Sequence, residues 1–485
     1  MAIKHVDRFT TPLRDDGGNR IATLLWGDLV HVLGTSGDAV HVRARRREGW
    51  VEAAALSDRS LLEIYVIDVG QGDGVLLKTP EGKWHLIDAG VANREQMTRK
   101  GAANFIRWKF IEDLRETRVS LATVIVTHPD YDHYGGLLDL FSGRLSGWPP
   151  FEVEVENFYH NGLGRFSAAP KLGESLDGEV DPFPNGNHGV RRRGHFITEL
   201  LDGRESFETP PRPFQSTFAE YAAQVARLPR NVRRLSHPDR YLPGYGPGEN
   251  DVTVRVLGPV LERFGTERVG LRTLGSESVT RNGHSVVLRV DYGNARVLLT
   301  GDLNKESQQL LLSYHPEAEF AVDVAKGCHH GSEDLDLDFV RAMQARSTVI
   351  SSGDNEAYSH PRPVAMGASA RYGREAKGVR GETLPPLIYS TELARSTRLA
   401  YAASVQVDLN GDGGNEPREV KPEDTRVKAK APRAAYRALT ETPLATDLVY
   451  GLVNVRTDGT HILCATMVEN GLDFDVKVFK AGVDA

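Results

Sequence analysis

The residues of this chain best suited to chemistry lie in one short run, Thr127-His128-Pro129-Asp130-Tyr131-Asp132-His133. An apolar stretch of strand length, Ala122–Thr127, leads into it and Gly135-Gly136 follows. Four ligand-type side chains, two imidazoles and two carboxylates, thus fall within six residues. On a loop at a strand end they can turn toward one point, as a metal ion requires. Mixed nitrogen and oxygen ligands suit zinc, manganese or iron better than calcium or magnesium alone. Strand, ligand and loop recur at Asp302 in Leu298-Leu299-Thr300-Gly301-Asp302, and at His329-His330 before Gly331-Ser332. One such cluster can be a packed histidine beside a capping aspartate, whereas three in series point to a metal centre.

The elements that must position these residues read as a layered α/β domain. From Leu61 the run LLEIYVIDVG has strand length, and Gly70-Gln71-Gly72 turns it into a second strand, Gly74–Lys78. A third strand, Lys83–Ile87, ends at Asp88-Ala89-Gly90, and Asn93–Leu114 can be helical. Strand signals return at Val252–Leu257, Ser285–Val290 and Arg296–Leu299, the last two separated by Gly293-Asn294. Strands alternating with helical stretches argue for layers of helix on sheet. The stretch Arg144–Asn250 is irregular and rich in proline and glycine, with one helix near Thr217–Leu228, and is expected to be an insertion. Residues 1–58 hold short β-rich runs (Arg20–Leu25, Leu29–Leu33, Ala39–Ala44) punctuated by glycine turns, as in a small barrel. The expected division is 1–58, a catalytic domain over 59–405, a polar linker or loop over 406–432, and a small β-rich C-terminal segment over 433–485. That last segment carries a hairpin around Asp458-Gly459.

Composition bounds the function. The 485 residues allow about three domains of roughly 150 residues. Hydrophobic residues make up 40%, which argues against wholesale disorder. No apolar run approaches the roughly 18 residues that cross a bilayer, and no secretory leader is visible, so a cytoplasmic protein without membrane insertion is expected. Cys328 and Cys464 alone make neither a disulfide framework nor a four-thiolate zinc site. The net charge of −7 requires any polyanion to be met by local basic patches.

His128-x-Asp130-x-Asp132-His133 resembles the signature of the metallo-β-lactamase superfamily, in the variant with aspartate at the second histidine. The strings IDVGQGDGVLL, LIDAG, VTHPDYDHYGG, NGHSVVLRV, LLTGD and HHGS follow the order of ComEC-type domains. Those are hydrolase domains attached to the DNA-uptake channel of competent bacteria, and they also occur as free-standing proteins. The resemblance covers about Leu61–Arg362, without most of the insertion. It implies an αββα sandwich with two divalent ions, zinc or manganese, at one edge of the sheets. His128 and Asp130 would hold one ion, Asp132 and His133 the other, and Asp302 would bridge them. The HHGS motif would add a ligand, with His329 preferred to His330. The family commonly has a further histidine before the bridging aspartate. Of His160, His188, His195, His237 and His284, the first is chosen because it follows a strand, Val153–Phe158.

Asp132, Asp302 and His360 would be the residues nearest the reacting atoms. His360, in Tyr358-Ser359-His360-Pro361, would be an acid or hydrogen-bond donor to substrate, or else an ordinary loop histidine. Asp88 would orient a ligand histidine, although by itself it is also a turn residue. Gln71 and Asp73 would lie near the site, where the glycine turn can aim N–H groups at an anion. Asn282 and Ser285 have similar standing, with turn chemistry as their plain alternative. Two ions would lower the pKa of a shared water and neutralise charge on phosphoryl or carbonyl oxygens. The order Leu13-Arg14, Gly27-Asp28-Leu29-Val30, Gly49-Trp50-Val51 resembles a bacterial SH3-like domain. That implies a surface for peptides, cell-wall fragments or a protein partner, the other reading being a structural appendage.

For the substrate, Arg191, Arg192 and Arg193 form one basic stretch, and Arg227, Arg230, Arg233, Arg234 and Arg240 another, interleaved with Tyr241 and Tyr245. Arginine with aromatics suits single-stranded nucleic acid, although charge runs are also ordinary solvated surface. Arg43, Arg45, Arg46 and Arg47 form a third cluster. Asp408-Leu409-Asn410-Gly411-Asp412-Gly413, with Glu419 beyond, has calcium-loop spacing, but Pro417 interrupts it and a polar turn is expected. The expected activity is a phosphodiesterase cutting nucleic acid. The alternatives are hydrolysis of a small ester, lactone or cyclic nucleotide, and a docking or regulatory role in a bacterial defence system.

Overall fold

The computed structural model describes residues 2–96, 101–181, 184, 192–265, 267–353, 358, 360–392, 451–468 and 471–482, with four short strands between 405 and 438. The N-terminal residues Ile3–Ser57 form a seven-stranded antiparallel sheet. The strand Ala39–Ala44 shows why it closes on itself: alternate residues Val40, Val42 and Ala44 point inward to Leu13, Leu24, Val30 and Val51. This unit is welded to the rest of the chain. Leu25 and Trp26 pack on Leu463, Ala465 and Val478. The buried Arg456 guanidinium donates to the Trp26 carbonyl at 2.7 Å and to Asp28 Oδ1 at 2.8 Å. The arginine cluster of this unit serves the same junction. Arg45 pairs with Asp28 at 2.8 Å, and Arg43 donates to the Glu112 carbonyl at 3.0 Å.

Two sheets form the centre of the molecule. A nine-stranded sheet runs, in spatial order, Asn231–Arg234, Glu152–His160, Arg118–Val126, Trp84–Ala89, Gly74–Lys78, Leu62–Val66, Val453–Thr457, His461–Met467 and Phe474–Lys480. Its first four strands are parallel and the remaining pairings antiparallel. A six-stranded sheet runs Val252–Gly258, Val287–Tyr292, Ala295–Leu299, Val324–Lys326, Ser347–Ile350 and Leu387–Ser390. Ile64, Val75, Ile87 and Ile125 of the first sheet meet Val254, Leu288, Val297 and Leu299 of the second in one core. Leu76, Leu86 and Val124 point the other way, under the helices Ala102–Arg107, Tyr131–Ser142 and Ser216–Arg227. Val287, Leu298 and Ala325 likewise lie under Lys305–Tyr314, Leu337–Met343 and Pro363–Tyr372. The result is a helix, sheet, sheet, helix layering, in which strands buried on both faces read as continuous apolar runs.

Three expectations need correction. The C-terminal strands do not stand apart from the catalytic domain, because Val453–Thr457 pairs with Leu62–Val66 and extends the nine-stranded sheet. The stretch Arg144–Asn250 is only partly an insertion: Glu152–His160 and Asn231–Arg234 are parallel strands of that sheet, covered by Ser216–Arg227. Val153–Phe158 is legible as a strand in the sequence, whereas Asn231–Arg234 is four residues long and half of it is arginine, which hides its period. Among the described residues of Asn93–Leu114 the helical parts are a single turn, Asn93–Glu95, and the helix Ala102–Arg107, which continues as a π-helical turn, Trp108–Asp113. No helix among the described residues is long and apolar enough to cross a membrane.

Candidate metal centre

The strand Arg118–Val126 delivers His128 to the sheet edge, and Asp130 then starts the helix Tyr131–Ser142. This loop and its neighbours approach too closely for side chains at two glycines. A Cβ on Gly136 would lie 2.0 Å from the Ala89 carbonyl oxygen. One on Gly72, whose φ is +102°, would lie 1.6 Å from the Asp132 carbonyl oxygen. The glycine turn after Leu62–Val66 is therefore needed to seat Asp132.

Asp302 Oδ2 is the focus of the cluster. His330 Nε2 stands 3.0 Å from it, His133 Nε2 3.2 Å, His329 Nε2 3.8 Å and His128 Nε2 3.9 Å. One ligand atom each from Asp132, His133, Asp302 and His330 lies within 4.8 Å of every other. The Nε2 atoms of His128, His133 and His330 are buried and have no hydrogen-bond partner. Buried polar atoms are normally paired, so three unpaired nitrogens facing one carboxylate are the signature of a cation site. The donor set fits a divalent ion of the zinc or manganese type.

A further layer of residues holds the rings. Asp88 Oδ2 lies 2.8 Å from His133 Nδ1, while the Thr127 hydroxyl donates to that oxygen at 2.6 Å and the Thr127 N–H donates to Oδ1 at 2.8 Å. His330 Nδ1 lies 3.2 Å from both Asp73 Oδ1 and the Ser351 carbonyl. Lys326 pairs with Asp73 and donates to the Gly301 carbonyl at 3.0 Å. Ser285 Oγ lies 3.2 Å from His128 Nδ1 and accepts the Asp302 N–H at 3.0 Å. Gln71 takes part through its carbonyl, which accepts the Val91 N–H at 3.2 Å. A carboxylate or carbonyl on the far nitrogen leaves Nε2 free to ligate an ion.

The electrostatics point the same way. Burial works against charging His133, yet Asp302, Asp88 and Asp132 outweigh it and hold its pKa well above the ordinary value. His330 is raised in the same manner by Asp302 and Asp73. Burial would raise Asp302, but His330, His133 and His329 hold it well below the carboxylate range. Lys326 is raised against burial by Asp73 and Asp302. His128, by contrast, is held well below its ordinary value by burial and by His133.

The expected ligands are not all brought together. His160 is excluded, because its Nε2 faces the Asp202 carbonyl at 3.1 Å and its Nδ1 accepts the Gly162 N–H at 3.1 Å. Burial pushes its pKa down to about 3. His284, His195 and His237 are likewise engaged elsewhere, with the Arg272 carbonyl, Asp177 and the Leu261 N–H. Of the adjacent pair, His330 rather than His329 joins the compact group; both sit at left-handed φ, 53° and 45°, and their ring planes lie at 69° to each other, so that only one can point into the cluster. His329 lies nearer the rim, its Nε2 3.3 Å from the Asn282 amide. His360 is buried at the same rim, its ring centroid 5.8 Å from that of His329. Asp130 is turned onto Arg165 and Arg281. Lys326, Arg165 and Arg281 were not singled out from the sequence, and Thr127 appeared only as the start of the ligand run. Lys326 carried a local signal, three residues before His329 at a strand end, and Arg281 stands next to Asn282, whereas Arg165 carried none.

The basic stretches do not form one free cationic strip. Arg193 pairs with Glu179 at 3.0 Å, Arg234 with Asp202 at 2.9 Å, and Arg233 with Asp239. Arg230 lines a cleft with Glu116, Arg118, Glu154 and Glu156, and Arg192 lies on the strand Arg192–Ile197. Arg191, His188 and the calcium-like stretch Asp408–Gly413 lie outside the described residues.

Residues 67–352 match the Metallo-beta-lactamase superfamily, and the chain belongs to it. Two relatives share part of it and connect it to ComEC-type proteins. The chain is 35% identical over 86 residues to ComE operon protein 3 of Bacillus subtilis (strain 168), covering 18% of this chain and 11% of that protein. It is 32% identical over 104 residues to Competence protein ComA of Neisseria gonorrhoeae, covering 21% and 15%. The chain therefore spans only a small part of the length of these relatives. Among solved structures, the metallo-beta-lactamase fold protein YhfI from Bacillus subtilis aligns over 68% of this chain and 98% of its own, at 9% identity and a TM-score of 0.31.

Proposed function

We propose that the chain is a metal-dependent phosphodiesterase whose substrate is a nucleic acid, DNA or RNA. The observation that carries the reading is the convergence of three buried, unpartnered imidazole nitrogens on Asp302. Divalent ions bound there, zinc or manganese, supply an acidified water and neutralise charge on phosphoryl oxygens. Asp132, His133, Asp302 and His330 would hold one ion, and His128 and His329, whose Nε2 atoms lie 3.9 and 3.8 Å from Asp302 Oδ2, would help to hold a second. Asp88 fixes His133, and Asp73 with the Ser351 carbonyl fixes His330, so the rings are oriented before any ion arrives. Ser285 holds the Asp302 backbone and the His128 ring in one register. His360, whose ring lies beside that of His329, would donate a hydrogen bond to a phosphate oxygen.

The partial similarity to proteins named for competence supports a nucleic-acid substrate over a small ester. So does the adjoining cleft, which is open and lined by charged and amide side chains rather than closed and apolar. The test is cleavage of single- and double-stranded DNA and RNA by purified protein with added manganese, zinc or magnesium, with His128→Ala and Asp302→Asn alongside. Metal-dependent cleavage that both substitutions abolish is expected. A metal-filled protein that cuts none of the four would overturn the nucleic-acid reading. Failure to bind metal after reconstitution would overturn the hydrolase.

A further inference from the structure

Asp130 stands where the resemblance expects a metal ligand, yet its acceptor capacity is already taken. Oδ1 accepts from Arg281 Nε and from Arg165 Nη1, the latter at 3.0 Å. Oδ2 accepts from Arg281 Nη2 at 3.2 Å. In the amide orientation that satisfies both of its ends, Asn282 also donates to Oδ2 at 2.9 Å and to the Ser278 carbonyl at 3.1 Å. A carboxylate offers about four lone-pair sites, and here four donors occupy them. Burial pushes this carboxyl up and Arg281 opposes that, which leaves the arginines as its principal counter-charge.

What the carboxylate achieves is to fix two guanidiniums side by side. Arg165 is further held by Nε to Gln215 Oε1 at 3.1 Å and by Nη1 to the Pro129 carbonyl at 3.3 Å. Among the described residues Arg165 Nη2 and Arg281 Nη1 have no hydrogen-bond partner, so each fork keeps a free pair of N–H groups. Both side chains line a cleft of about 500 Å³ together with Lys171, Gln215, Ser278 and Glu277. Three cations there outnumber the two carboxylates, Glu277 and Asp130. The metal cluster begins next door, with Asp130 Oδ2 3.8 Å from His128 Nε2.

We infer that Arg165 and Arg281, positioned by Asp130, form a phosphate subsite beside the metal centre, and that Asp130 is a positioning residue rather than a ligand. The inference rests on the phosphodiesterase reading and deepens it. Two planar forks locked by one carboxylate bind the paired oxygens of a phosphate group with little ordering cost. In a nucleic acid this would be the phosphate flanking the scissile one, which would place the chain in register across the cluster.

The experiment uses the full chain and reads two quantities apart from turnover. Metal content is measured by elemental analysis after reconstitution. Binding of inorganic phosphate and of a short single-stranded oligonucleotide is measured by calorimetry in the metal-free protein, so that no ion competes for the anion. Arg281→Gln and Arg165→Gln should each weaken phosphate binding about tenfold or more while leaving metal content unchanged. Asp130→Asn should weaken phosphate and keep the metal. Arg281→Lys, which retains the charge without the fork, should fall between and guards against misfolding. Loss of metal from Asp130→Asn would overturn the inference, as would unchanged phosphate affinity in both glutamine variants. If these variants weaken phosphate but not the oligonucleotide, the subsite stands and the polymer reading falls.

Discussion

Replacing Asp88 by asparagine should weaken the metal centre while sparing the fold. Asp88 is fully buried and sits at φ 57°, a conformation that asparagine tolerates and alanine does not. The substitution keeps the shape of the side chain and removes its charge and one acceptor. Oδ1 receives the Thr127 N–H at 2.8 Å, and Oδ2 receives the Thr127 hydroxyl at 2.6 Å and faces His133 Nδ1 at 2.8 Å. An amide can serve only one side of this arrangement. If its oxygen stays on the Thr127 N–H, its NH₂ confronts the His133 ring and favours the wrong tautomer. Loss of a carboxylate behind a ligand histidine typically costs about 10- to 100-fold in metal affinity. That corresponds to about 1.4–2.7 kcal/mol. The assay is competition for zinc or manganese against a chromophoric chelator, with thermal melts of the metal-free proteins beside it. A dissociation constant within twofold of wild type, in a variant that melts normally, would refute the idea that Asp88 acts through His133.

Three further outcomes follow from the same geometry. Gly72→Ala should cost at least about 2 kcal/mol in denaturant titrations, because φ +102° is strained for alanine and its Cβ would meet the Asp132 carbonyl at 1.6 Å; metal content should fall with it. His160→Phe should leave metal content unchanged and lower the melting temperature, since among the described residues the ring bonds to the backbone of Asp202 and Gly162; lost metal would restore His160 as a ligand. Glu63 tests the buried charge network. Burial would raise its carboxyl, but Lys78, Arg456 and Lys109 outweigh that and hold it down at about 2, from 4.5. A depressed carboxylate stabilises above its unfolded pKa, so roughly 3 kcal/mol should be lost as pH falls from about 4.5 to about 2. Acid titrations followed by circular dichroism should show a shallower slope in Glu63→Gln than in wild type, the remainder coming from the other depressed carboxylates such as Asp73.

Much of the site was legible because its signals are local. His128, Asp130, Asp132 and His133 share one loop, and each of the other ligand strings ends a strand whose apolar run is visible without any partner. The same holds for the glycine turn at Gly70-Gln71-Gly72, whose close packing against Asp132 only the structure shows. The layering of helices on sheets also followed from runs that are apolar on both faces. Which histidine of the adjacent pair joins the cluster did not follow, since both are the same residue in the same turn with similar backbone, and only the packed structure brings His330 to 3.0 Å from Asp302 while His329 stays at 3.8 Å.

The sequence by itself determined the superfamily, the metal chemistry and the strands that carry the ligands, because residue type and short-range periodicity are properties of neighbours along the chain. Only the tertiary structure decided what those residues meet. Asp130 accepts from arginines 35 and 151 positions away, Arg456 closes on Asp28 across 428, and the C-terminal strands complete a sheet begun at Leu62. Such partners are chosen by which charges and edges remain unsatisfied once the core has packed, and that choice leaves no period in the chain to read.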